Sequence, residues 1–330
     1  MHSTLESAPP VAPALAHERT AGIIGLGTAL PAGVVSSATI GERLGVDEQW
    51  LVRRTGIYGR HRLGAGERVS DLASAAALGA LADAQVPAER IDVVMVATST
   101  ADELTPNVAP HVATAIGAHR AGAMDVGAAC TGFVSALGIA ASLVESARAD
   151  CVLVVGAEGL SRFTDPDDRR TAGLFGDGAG AVVLGASGSG RIGPVLLGSD
   201  GTQCALIRAE HGGFIEMNGH ETFREAVRRL SEVTPDACAA AGVALEEIDL
   251  FVFHQANERI LQAVAERLAL PEDRVVNAIA TLGNTSAASI PLALGAARTD
   301  ARLTPGSRVL LAAFGAGLTW GATVVTWGER

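Results

Sequence analysis

The chain contains no lysine; all 25 of its basic side chains are arginine. This excludes a Schiff-base lysine and the lysine of a Walker A loop, so any phosphate must be held by arginine, backbone amides or hydroxyls. Cysteine is also sparse. Cys130, Cys151, Cys204 and Cys238 form no CxxC pair and have no histidine at a zinc-like spacing. No apolar run is long and uninterrupted enough to span a bilayer, and no secretory signal is recognisable. A cytoplasmic protein with no membrane partner is therefore expected. The formal charge is −11, so global attraction to nucleic acid is not expected either.

What is present is material for a large core. Hydrophobic residues make up 48% of 330 positions and charged residues 18%, enough for one two-part domain or two ordinary ones. The segment from Met1 to Thr20 reads as a loose tail. Beyond it, strand-like and helix-like segments alternate. "GIIGLGTALP" opens on an apolar strand, "DLASAAALGALADAQV" has helical spacing, and "IDVVMVATST" is a buried strand. "FVSALGIAASLVESARA" is a helix apolar on most sides, and "CVLVVGAE" and "GAVVLGAS" are strands again. This rhythm predicts a mostly parallel sheet covered by helices.

The chain also echoes itself. "AERIDVVMVATST" resembles "LEEIDLFVFHQAN", and "CVLVVGAE" resembles "RVLLAAFG"; 157 residues separate Ile91 from Ile248 and Val152 from Val309. The same offset carries Cys130 to Ala287 in "GNTSAASIPLALGAA", which reads as another strand end followed by an apolar helix. A duplicated α/β unit is expected, with a tail at 1–20, one half at 21–190, the other at 191–330, and a site where the halves meet.

Three residues carry candidate chemistry. Cys130 in "GAACTGF" sits between small residues before the apolar helix. A buried structural thiol is the plainer reading; at a helix N-terminus, dipole and free amides would instead favour thiolate and lower its pKa. Cys151 and Cys238 read as core. His254 in "HQAN" follows a strand, at the end where α/β sheets bind ligands, although it could simply cap the next helix. Asn284 in "LGNTSAAS" falls in another presumed strand-to-helix turn, where an N-cap is the plainer role. Together, a thiol could hold an acyl group while a neutral histidine and an amide donate to one developing oxyanion. Two glycine-rich stretches, "GLGTAL" and "FGDGAGAVVLG", lack the remaining dinucleotide-loop or phosphate-loop residues and read as tight turns.

"GAACTGF", "HQAN", "GNTSAAS" and "FGAGLTWG", in this order and spacing, resemble β-ketoacyl-acyl carrier protein synthase III, of the thiolase superfamily, from about Gly22 onward. The resemblance implies a five-layered αβαβα fold from two similar halves, with no resident cofactor. It implies that Cys130 accepts an acyl group from acyl-CoA, with the Cys130 and Ala316 amides as oxyanion hole. Malonyl-acyl carrier protein would then decarboxylate beside His254 and Asn284, with Phe314 shielding the thiol. It further implies CoA contacts at Trp50, Arg54, Thr55, Arg169 and Asn257, and carrier docking at Arg224 and Arg259. Thr105 would shape the acyl pocket across a homodimer interface; relatives restricted to acetyl often carry a larger aromatic there, so longer or branched primers should fit. Many relatives carry glycine at Ala316, and His220 replaces an asparagine of some relatives near the CoA channel. Two other readings stay open: transfer of the acyl group to an alcohol, amine or carrier thiol without decarboxylation, and a non-catalytic partner subunit.

Overall fold

The computed structural model describes residues 19–187 and 189–328. Of the expected tail, only Arg19 and Thr20 fall within the described residues, and both are tied down. Arg19 reaches Asp150 at 2.7 Å, and Thr20 donates to the Ser187 carbonyl at 2.8 Å.

Apolar strands run through the first half as β1 (Ala21–Ala29), the hairpin of β2 (Gly33–Ser36) and β3 (Gly59–Arg62), β4 (Val93–Ala97), β5 (Gly122–Val126), β6 (Cys151–Gly159) and β7 (Asp177–Ala186). Helices α1 (Ser37–Leu44) and α2 (Glu48–Thr55) fill the hairpin connection, and α3 (Val69–Ala84), α4 (Val108–Ile116) and α5 (Gly132–Glu145) link the other strands. The second half contributes β8 (Arg191–Ile192), β9 (Leu196–Ser199), the short pair β10 (Ile207–Arg208) and β11 (Glu216–Met217), β12 (Leu250–Phe253), β13 (Arg308–Gly315) and β14 (Thr319–Thr326). Its helices are α6 (Gly219–Ala241), α7 (Glu258–Leu268), α8 (Ile279–Leu282) and α9 (Ser289–Thr299).

The first sheet has the order β1-β7-β6-β4-β5. β4 pairs in parallel with β5 and β6, whereas β7 lies antiparallel to both β6 and β1. Four strands thus run one way and β7 the other, a mixed sheet. The second sheet repeats the scheme: β12 and β13 are parallel and β14 runs against β13, β8 and β9. All nine residues of β6 are buried, as expected of a strand covered on both faces.

Helices α5 and α9 each touch strands of both sheets and form the middle layer. Their small apolar side chains share one core cluster with both sheets. α3 and α4 cover the outer face of the first sheet, and α6 and α7 that of the second. The result is five layers, αβαβα. The duplication is visible in the elements: β4 and β12, β6 and β13, and α5 and α9 each begin 157 residues apart. So do the turns at Ala129–Thr131 and Ser286–Ala288, whose first residues both have φ of 45°.

Neither glycine-rich stretch is a turn. "GLGTA" lies within β1, and all of "FGDGAGAVVLG" beyond Phe175 and Gly176 lies within β7. Packing explains the glycine at Gly27, where a Cβ would sit 2.2 Å from the Ala80 amide nitrogen and prise α3 off the sheet.

Candidate active site

Cys130 occupies a 3-10 turn between the end of β5 and α5, which begins at Gly132. The loop after β13 closes over it. A Cβ on Gly315 would lie 2.8 Å from the Cys130 Cβ and 2.9 Å from its amide nitrogen, so only glycine fits. Thr131 donates to Thr319 at 2.9 Å, and Thr319 donates to the Ala316 carbonyl at 3.0 Å, pinning the two loops together. Its own N–H, the Ala316 N–H and the Ser286 hydroxyl favour the thiolate. Burial acts against the thiolate that a helix end would favour: it pushes Cys130 up to about 11, outweighing those groups, and the Glu158 carboxylate opposes thiolate further.

His254 follows β12, and its N–H extends the ladder to the Ala312 carbonyl at 2.8 Å. The ring is buried with no partner at Nδ1, and desolvation pushes it down to about 3. It is therefore neutral at physiological pH, with one N–H to donate and no charge. Asn284 does not follow a strand. The ladder that β5 makes with β4 shrinks in the second half to one bridge, Phe251 to Val275, and the chain then coils through α8. Asn284 comes after Gly283 (φ 66°) and is held by backbone bonds from Asn284 to Leu174 and from Gly176 to Asn284, both 3.0 Å. The Ser286 amide donates to its Oδ1 at 3.0 Å, which fixes the carboxamide by leaving Nδ2 as the free donor.

Gln255 fixes both residues. Its Nε2 donates to Phe253 and Val276 at 2.9 and 3.1 Å, its Oε1 accepts from Ala278 at 2.8 Å, and its amide donates to Ser289 at 2.6 Å. This buried side chain ties the end of β12 to the segment that delivers Asn284.

Cys130, His254, Asn284 and Phe314 line one cavity of about 620 Å³. The last three are buried, whereas its outer lining, Arg54, Arg169, Arg170 and Arg259, is exposed and cationic. Trp50 lines the same cavity, with the Arg54 guanidinium 3.8 Å over its ring. Thr55 lines it too, but its hydroxyl is committed to Leu51 and Ile57. Asn257 caps α7 by accepting from Arg259 at 2.9 Å and donates to the Arg54 carbonyl at 2.9 Å, joining α7 to α2. Arg169 donates to the Leu44 carbonyl at 2.8 Å, and His220 also faces the cavity. Arg224 stands outside it, exposed on α6 and paired with Glu221 at 3.2 Å. Thr105 is exposed on the loop before α4 and does not line the cavity of its own chain. Cys151 and Cys238 are buried in β6 and α6.

Two residues near the thiol escaped the sequence reading. Glu158, fully buried at the end of β6, accepts from Thr100 at 2.6 Å, Ser286 at 2.9 Å and the Ser99 amide at 3.2 Å. Burial pushes its carboxyl up to about 7 against those bonds. Ser286 bridges Glu158, through its hydroxyl, and Asn284, through its amide. The available signal was a lone glutamate ending the run "CVLVVGA". Among the described residues, no three His, Cys, Asp or Glu side chains gather as a metal site, and no helix is long and apolar enough to cross a membrane.

Two stacked halves in five αβαβα layers, with a cysteine turn from one half facing histidine and asparagine from the other, define a thiolase-fold condensing enzyme. Residues 124–201 match the family model of 3-oxoacyl-[acyl-carrier-protein] synthase III, and residues 238–327 match the model of its C-terminal part. A β-ketoacyl-[acyl-carrier-protein] synthase III of Streptomyces coelicolor is 44% identical over 309 residues, covering 92% of this chain and 93% of that protein. The structure of 3-oxoacyl-[acyl-carrier-protein] synthase III from Aquifex aeolicus superposes with a TM-score of 0.91 at 40% identity, covering 93% of this chain and all of that one. The priming β-ketosynthase of the R1128 polyketide pathway gives 0.92 at 35% identity, covering 96% and 99%. The chain belongs to the β-ketoacyl-acyl carrier protein synthase III family and is an acyltransferase of the condensing type, acting in fatty-acid or polyketide initiation.

Proposed function

We propose that Cys130 takes an acyl group from acyl-CoA and passes it to the enolate formed by decarboxylation of malonyl-acyl carrier protein. The observation that carries this reading is one cavity whose floor holds Cys130, His254 and Asn284 and whose exposed rim is arginine. Arginine at the rim suits the phosphates of CoA, and the face of Trp50 not covered by Arg54 suits its adenine. The Cys130 and Ala316 amides receive the oxyanion of the first tetrahedral intermediate. His254 and Asn284 donate to the thioester oxygen of the malonyl group; a neutral imidazole does so without a charge that would hold the departing carboxylate. Phe314, buried beside the thiol, keeps water from the acyl-enzyme and favours loss of carboxylate.

Arg224 and Arg259, exposed on α6 and α7, form the docking surface for the acidic carrier protein despite the overall negative charge, because screening confines each charge to its surroundings. A second copy of the chain completes the enzyme. β5 ends the first sheet, and Met124 on it, Leu104 beside Thr105, and Ile139 on α5 are exposed apolar side chains suited to that contact. In that pairing Thr105 borders the partner's acyl pocket and leaves room for longer or branched primers. Intact-mass analysis after exposure to a panel of acyl-CoAs tests the whole reading. Acyl mass on Cys130 that disappears as a β-ketoacyl-carrier product forms supports it, and acyl mass that persists in the presence of malonyl-carrier protein refutes it.

A further inference from the structure

Glu158 and Ser286 join the two halves at the turn that follows Asn284. Glu158 lies at the end of β6 in the first half, Ser286 opens the turn before α9 in the second, and both are buried. The Ser286 hydroxyl donates to Glu158 Oε1 at 2.9 Å, and the Ser286 amide donates to Asn284 Oδ1 at 3.0 Å. Glu158 is held from its other side by the Thr100 hydroxyl at 2.6 Å and the Ser99 amide at 3.2 Å. Thr100 also accepts from the Gly159 amide at 2.8 Å, which closes the loop after β4 onto the end of β6.

The duplication shows that the fold can make this turn without such a chain. The 157-residue offset relates Asn284 to Gly127, Ser286 to Ala129, and Glu158 to Gly315, and none of those three carries a polar side chain. Ala129 nevertheless takes the same φ of 45° as Ser286. The same strand end therefore meets the same turn twice. Gly315 meets Cys130, where a side chain is excluded, and Glu158 meets Ser286, where a carboxyl is hydrogen-bonded. Burial of a carboxyl is costly, and of these two related places only the turn following Asn284 carries one. We propose that Glu158 and Ser286 are positioning residues for Asn284 in the decarboxylation half-reaction. Glu158 fixes the Ser286 hydroxyl, and the Ser286 N–H, fixed with it, holds the carboxamide so that Nδ2 is left to donate to the malonyl thioester oxygen. Neither residue needs to touch the reacting atoms in this role.

The inference rests on Asn284 serving the decarboxylation of the proposed function, so Asn284→Ala is the reference variant. Two steps are measured separately: single-turnover acylation of Cys130 by acyl-CoA, and carbon dioxide release from malonyl-carrier protein by the acylated enzyme. Ser286→Ala should lower carbon dioxide release by about tenfold or more, as a small misplacement of a reacting group does, and should lower acylation by much less. Alanine fits at this position, because Ala129 takes the same φ in the related turn. Glu158→Ala should reproduce the loss, and Glu158→Gln, which keeps an oxygen for the Ser286 hydroxyl, should recover part of it. In an Asn284→Ala background Ser286→Ala should cost almost nothing more, because residues acting through one another are not additive. Equal losses in both steps, or a fully additive loss in the double variant, would overturn the inference and leave Ser286 a merely structural residue. Normal carbon dioxide release by Ser286→Ala beside an impaired Asn284→Ala would overturn the inference alone. Normal release by Asn284→Ala would instead defeat the role proposed for Asn284, and the inference with it.

Discussion

Gly315→Ala places a methyl group where the structure has none to spare. Its Cβ would sit 2.8 Å from the Cys130 Cβ and 2.9 Å from the Cys130 amide nitrogen, against an ordinary carbon contact of about 3.5 Å or more. The overlap must be relieved by moving the loop after β13 away from the cysteine turn. Overpacking of this kind costs about 1–3 kcal/mol of stability, which a protein of this size tolerates. Catalysis should suffer more. The loop carries the Ala316 N–H, and losing one oxyanion-hole donor lowers a rate by roughly 10²–10³-fold, about 3–4 kcal/mol in the barrier. Single-turnover acylation of Cys130 by acyl-CoA, read by intact mass, should fall by that factor. Thermal melting should shift by only a few degrees, and iodoacetamide should still reach the thiol. Acylation within about threefold of the wild type in a folded variant would show that Ala316 does not serve the reaction.

Other outcomes follow from the same geometry. Gln255→Leu removes two buried side-chain bonds, to the Phe253 and Val276 carbonyls, and the half-buried bond from the Ala278 N–H; at about 1–3 kcal/mol for a buried unsatisfied group, denaturant unfolding should reveal at least ~2 kcal/mol lost. Because Gln255 supports the Asn284 segment, release of carbon dioxide from malonyl-carrier protein should fall further than acylation of Cys130; equal losses would contradict this. Trp50→Ala should raise KM for acyl-CoA by about tenfold, as one stacking face is worth about 1–3 kcal/mol, with little change in kcat.

The buried titrating pair gives a pH dependence with two signs. His254 is lowered to about 3 from 6.5, so its contribution is complete above pH 6.5 and is lost as pH falls toward 3. Glu158 is raised to about 7 from 4.5, so its contribution is complete below pH 4.5 and is lost as pH rises through 7. Between those ranges the two oppose each other. Relative to wild type, Glu158→Gln should therefore gain stability as pH rises from 4.5 to 7, by roughly 1 kcal/mol per unit. A difference that stays constant with pH would refute a protonated Glu158.

That Cys130, His254, Asn284 and Phe314 share one cavity was legible in the sequence because each lies in a short motif beside a strand or helix. The duplication was legible for the same reason: "IDVVMV" and "IDLFVF" are the same local problem solved twice. Three things were not. Asn284 is not at a strand end, because the second half replaces β5 by one bridge and a turn of helix, a choice made by packing against Leu174 and Gly176 rather than by local propensity. The effect of burial on Cys130 was not legible, because a helix end is visible in sequence and burial is not. Glu158, Ser286 and Gln255 are brought to the site by contacts spanning 21 to 128 positions, which no local pattern announces.

The central claim is that Cys130 is the acyl acceptor and that His254 and Asn284 drive decarboxylation. It is tested most directly by loading the enzyme with acyl-CoA, adding malonyl-acyl carrier protein, and following protein mass and carrier product together, beside Cys130→Ala. Acyl mass on Cys130, absent from the variant and replaced by a β-ketoacyl-carrier product, is the result predicted here. Acyl mass that remains on Cys130 while malonyl-carrier protein is unchanged would contradict it and point to transfer onto an alcohol, amine or other thiol.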